Sequence, residues 1–209
     1  TYVDTITISQ QCADWVFSWS TCCRNQAITN IQNPSGEGMY ISALLNNLNA
    51  PCNTSPVFSN FPVTFTCLGQ RFTYNHGVYD ADGDSLVFSL VNPRTGSLPG
   101  DTVTYINGYT ATRPFGSSLL PLANSVRFNT STGEMIAQPT LQEVTVIAVL
   151  VNEYRNGVLI GQVIRDIQLS ILPCQNLLPL LGGWNGNPGN TITICAGVPF
   201  ISRIASRDP

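Results

Sequence analysis

Three carboxylates alternate along Asp80-Ala81-Asp82-Gly83-Asp84, and an alternating run, Ser85-Leu86-Val87-Phe88-Ser89-Leu90, follows at once. Hard oxygen donors gathered on a turn suit a divalent cation, calcium above all, which takes six to eight oxygen ligands. The stretch is not an EF-hand loop: the twelfth position counted from Asp80 is Val91, where that loop needs a bidentate Glu. Asp166 or Asn75 would have to complete a shell around the three aspartates. The same residues also fit a tight Asx-type turn, in which carboxylates accept nearby backbone N–H groups. Both readings stand at this level.

No other group of residues argues for catalysis. His76 is the only histidine and reads as a buried or turn-satisfied residue. No G-x-S-x-G nucleophile elbow occurs, and clustered aspartates lack the separation that paired-carboxylate hydrolysis needs. Glu134, Glu143 and Glu153 fall at expected strand edges and read as solvent-facing. The chain is therefore expected not to be an enzyme. Among the tryptophans, Trp15 and Trp19 are four apart, on one face of a strand, and read as core. Trp184 lies in a Gly/Asn-rich stretch read as a loop and is the better candidate for stacking on a sugar ring.

Seven cysteines stand at positions 12, 22, 23, 52, 67, 174 and 195, with no C-x-x-C pair or nearby histidines to suggest a metal. Disulfides in an oxidising compartment are the expectation. An odd number leaves at least one thiol without a partner in this stretch. Local bridges Cys52–Cys67 and Cys174–Cys195, with Cys12 joined to Cys22 or Cys23, are one arrangement. Cys23–Cys52 with Cys67–Cys174 is another, since connectivity does not follow from sequence.

The elements that would hold these residues are strands. Only 10% of the 209 residues are charged, and all nine basic residues are Arg. A net charge of −3 without a basic run argues against nucleic acid. The longest uninterrupted apolar run, Val146 to Val151, is far too short to span a bilayer. Strand signals cover Tyr2–Ile8, Asp14–Ser20, Pro62–Leu68, Gln70–Tyr74, Ser85–Val91, Thr102–Tyr105 and Ser125–Phe128, separated by Gly, Pro and Asn turns. Met39–Leu48 fits a helical period in part and is read as a strand. Glu143–Glu153 and Val158–Leu172 flank Arg155-Asn156-Gly157, which predicts a long antiparallel hairpin. The expected fold is all-β, tandem sandwiches stapled by disulfides.

Thr66-Cys67-Leu68-Gly69 parallels Ile194-Cys195-Ala196-Gly197 at an offset of 128 residues (195 − 67), and the same shift lays Asp208 on Asp80. The expectation is a window onto a longer tandem array. Residues 1–54 would close one β-domain, 55–173 would form a complete sandwich, and 174–209 would begin the next.

Phe72 through Thr140 resembles the cadherin-like (Ig-like) domains of bacterial and dystroglycan-type surface proteins. The resemblance rests on the D-x-D-G-D-S-L strand entry and on Val126–Ile136 followed by Pro139-Thr140, with Asn129 where Asp is usual. Cys12-Ala13-Asp14-Trp15, Cys22-Cys23-Arg24-Asn25, Tyr74-Asn75-His76-Gly77 and Glu153–Gly161 resemble large gliding-motility adhesins of Bacteroidota, exported by type IX secretion. That likeness implies a secreted, cell-surface ectodomain that adheres or forms fibres, with neighbouring domains of the same chain as partners. Surface polysaccharide and self-association into a filament are the further partners considered. Asp4-Thr5-Ile6, Asp84-Ser85-Leu86 and Asp101-Thr102-Val103 look like that group's O-glycosylation acceptor, placing candidate sites at Thr5, Ser85 and Thr102. Asn53-Thr54-Ser55 and Asn129-Thr130-Ser131 match N-glycosylation acceptors, which weigh little in a bacterial protein.

Overall fold

The computed structural model describes residues 3–98, 100–118, 125–175 and 180–184, together with 193, 197, 199, 201 and 204–207. The chain divides into two compact units, Thr1–Leu172 and Pro173–Pro209.

The first unit is built around the expected hairpin. Strand β10 (Val144–Arg155) and strand β11 (Val158–Leu172) pair antiparallel over nearly their whole length. Asn156 and Gly157 at the turn have φ of 51° and 78°, the left-handed values a two-residue hairpin loop needs. On one side of this hairpin lies β7 (Ser85–Val91), paired to β10. On the other, β2 (Met39–Leu45) pairs with β11, and β1 (Trp15–Thr21) pairs with β2 along seven residues. The order is β1-β2-β11-β10-β7, with short β4 (Phe65–Cys67) running parallel to the end of β11.

Smaller sheets lie beside the large one. Strands β5 (Phe72–Asn75), β9 (Glu134–Ala137) and β8 (Arg127–Phe128) form one, and β3 (Val57–Phe58) with β6 (Val78–Tyr79) form another. Met135 and Ala137 from β9 pack with Ile147 of β10 and with Leu169 and Ile171 of β11, around buried Phe115. This is sheet-on-sheet packing of a sandwich. Val146, one residue along β10, points the other way into a cluster with Ile28, Ile31 and Val103. Strand β10 is thus buried on both faces, which is why its sequence, VTVIAVLV, is apolar almost without alternation.

Several expectations are corrected. Val3–Ile8 forms no ladder and is largely exposed. Thr102 and Tyr105 make only isolated bridges, to Arg94 and Ile31. Residues 1–54 do not stand apart from 55–172: β1 and β2 extend the same sheet as β11, so the boundary expected near residue 54 falls inside one unit. Arg24 reinforces this join. Its guanidinium meets the Asp166 carboxylate in a buried pair at 2.7 Å and donates to the carbonyls of Gly38 and Arg94.

In the second unit, β12 (Leu180–Trp184) and β13 (Ile204–Arg207) form an antiparallel pair. Trp184 closes β12 opposite Ile204, not within a loop, and its side chain lies outside the described part of the structure. Cys195 and Asp208 lie outside the described residues. Among the described residues no helix is long and apolar enough to cross a membrane, which says nothing of β-barrels.

Candidate functional site

The acidic turn sits between β6 and β7 and is organised by Asp80. Its Oδ1 accepts the backbone N–H groups of Asp82 and Asp84 at 3.0 and 2.9 Å, so the Asx-type turn is real. This gathers the carboxylates: one oxygen from each of Asp80, Asp82 and Asp84 lies within 4.8 Å of the others, and the cluster could hold a metal ion.

Arg155, at the end of β10, lies across the cluster. Its Nε and Nη2 donate to the two oxygens of Asp84 at 2.8 and 2.6 Å, a bidentate fork, and Nη2 also reaches Asn53 Oδ1 at 2.9 Å. Asp82 lies 3.4 Å from the same nitrogen and accepts the Thr54 backbone N–H at 2.7 Å. The bidentate bond to Arg155 holds the Asp84 carboxyl below the usual carboxylate range, and the Asp84 carboxylate in turn pushes the Arg155 guanidinium up.

Beneath these groups is a fourth carboxylate that the sequence reading assigned to solvent. Glu153 is fully buried, 0% exposed, and neither of its oxygens receives a well-formed hydrogen bond, although the Asn53 amide and the Asp84 carboxyl lie beside it. Burial first, then the Asp80 and Asp84 charges, push its pKa up to about 7. The remaining oxygen of Asp80, Oδ2, is likewise buried without a partner. Two local features seat Glu153. The β10–β11 register shifts between Glu153 and Tyr154, a bulge that re-aims the side chain. Opposite, Gly161 carries no Cβ, which would collide with Glu153 Oε2. The signal for Glu153 was its place beside the Arg-Asn-Gly turn, two residues from Arg155, facing β7 just after Asp84.

Neither residue proposed to complete the shell does so. Asp166 is bound to Arg24, and Asn75 is tied to the Thr132 carbonyl and the Gly77 N–H. Glu143 is also buried, accepting from the Tyr109 hydroxyl and the Gly116 N–H at 2.8 Å each. His76 is fully buried between the rings of Phe58 and Tyr74, and burial, then the Arg165 charge, lower its pKa to about 4.

A second feature lies along β1. Trp15, Phe17 and Trp19 project from one face, and Trp19, read as core, is 44% exposed because β1 is the sheet edge. Phe17 and Trp19, with Ile41, Phe58, Val163 and Ile164, line a cleft of about 610 Å³.

No protein-family model and no curated protein matches this chain.

The cysteines differ from either expected arrangement. Cys22 and Cys23 are bonded to each other. Cys12 and Cys52 are free, which removes the Cys52–Cys67 and Cys23–Cys52 bridges and any bridge from Cys12. Cys67 and Cys174 are both disulfide-bonded. Thr5, Ser85 and Thr102 are all exposed.

Proposed function

We propose that this chain is a non-enzymatic structural and adhesive segment of an extracellular surface protein, of the kind the gliding-motility adhesins represent. The observation that carries this reading is the use made of the buried polar side chains. Arg24, Asn30, Asn46 and Glu143 are each bonded to backbone or to another side chain across the fold, so they serve rigidity. Disulfide-bonded Cys67 and Cys174 fit an oxidising compartment. Calcium at the Asp80 turn belongs to the same reading, as a stiffener of the β6–β7 junction. Force spectroscopy on single chains is the test: discrete cooperative rupture events support a load-bearing segment, and gradual yielding at low force counts against it.

Polysaccharide binding is a second reading, favoured by the exposed ring of Trp19 over the β1 cleft. Flat aromatic faces at an open sheet edge suit stacking on sugar rings. Trp19→Ala should abolish retention on an immobilised polysaccharide while leaving the melting temperature unchanged. A glycan array without signal for the unaltered protein would count against this reading.

A further inference from the structure

A fully buried carboxylate without a hydrogen bond is costly, and a bound cation is one of the reasons a native chain keeps such a group. Glu153 is such a group, lying beside the Asp84 carboxyl, and Oδ2 of Asp80 in the three-aspartate cluster is likewise buried without a partner. Around them stand Asp82, Asp84 and the Asn53 carbonyl oxygen, all currently facing Arg155. One guanidinium is a poor match for four carboxylates. The donors are oxygens throughout, which selects a hard cation, and several carboxylates on a flexible turn suit Ca²⁺ better than the strict octahedron of Mg²⁺.

Arg155 is placed to leave. Its side chain is 31% exposed at the tip of the β10–β11 hairpin, so it can turn to water without disturbing the core. Glu153 cannot leave, held by the bulge and by the space that Gly161 leaves open.

We propose that Glu153 and Asp80 are the inner ligands of a Ca²⁺ site that Asp82 and Asp84 complete from the turn, Arg155 and the cation being alternative counter-charges. This rests on the calcium reading above. The site then has two states: Arg155 locks the turn in the absence of calcium, and calcium releases Arg155 to solvent.

The test is calcium titration of the chelator-stripped chain, read by calorimetric binding and by melting temperature, with Glu153→Gln and Arg155→Gln. For the unaltered protein, saturating Ca²⁺ should raise Tm by roughly 5–10 °C. Glu153→Gln should melt no lower than the unaltered protein in chelator, yet bind Ca²⁺ at least about tenfold more weakly. Arg155→Gln should bind it more tightly, through loss of the competing charge. An unaltered protein blind to Ca²⁺ defeats the calcium reading itself. Undiminished binding by Glu153→Gln, or weakened binding by Arg155→Gln, overturns this inference while calcium binding stands.

Discussion

Arg24 donates to both oxygens of Asp166 and to the carbonyls of Gly38 and Arg94, and both partners of the ion pair are only 4% exposed. A pair so placed is costly to break, because removing one side leaves a buried charge without compensation. Arg24→Ala should destabilise by about 3–5 kcal/mol in urea unfolding. Arg24→Met with Asp166→Leu should recover most of the loss, since no charge is then stranded. His76 predicts a pH dependence. Its folded pKa, about 4, lies below the ordinary 6.5, so the unfolded chain binds more protons between those values. Stability is therefore lost as pH falls from about 6.5 to about 4, by up to about 3 kcal/mol. The groups facing the ring are Phe58, Tyr74 and, through its charge, Arg165. His76→Leu should flatten that slope, and an unchanged slope would refute the assignment.

Among the elements, the β10–β11 hairpin matters most, since every other strand of the large sheet attaches to it directly or through β2. Its turn depends on positive φ at Asn156 and Gly157. A β-branched residue is strained there, so Gly157→Val should cost about 1–3 kcal/mol and show as a lowered urea midpoint with an unchanged slope. Gly157→Asn, which tolerates the left-handed region, should cost much less. Strand β1 is held along one edge only, and its face with Phe17 and Trp19 opens on the cleft. It carries no charge or proline to block edge pairing, the physical basis for considering self-association as well as sugar binding.

For the whole molecule, the unit Thr1–Leu172 is continuous where a domain boundary was expected. Strand β2 covers one edge of β11, and Ile28 and Ile31 fill the cluster on the outer face of Val146. A fragment of residues 55–172 should therefore expose that cluster, strand Asp166 without Arg24, and melt without a cooperative transition. A sharp, reversible melt of the fragment would show instead that residues 1–54 are an appendage. The Cys22–Cys23 bond contributes little to this integrity, because linking adjacent residues removes almost no freedom from the unfolded chain.

Local pattern settled what depends on local physics. Alternation marked β1 and β7, the Asn-Gly pair marked the hairpin, and the spacing of Asp80, Asp82 and Asp84 marked the turn. Each of these follows from a few neighbouring residues and their backbone preferences. Burial and pairing between distant segments followed no local rule. Glu153 and Glu143 read as surface charges because Glu usually is one; only the bulge, Gly161 and the covering strands show Glu153 to be enclosed. Trp19 read as core because tryptophan usually is, yet an edge strand leaves it exposed. Arg155 gave no sign of lying across the acidic turn, since the hairpin carries it there from 71 residues away. The aspartates could be read one after another along the chain, but the fourth carboxylate and the arginine facing them are brought together only by the pairing of β7 with β10.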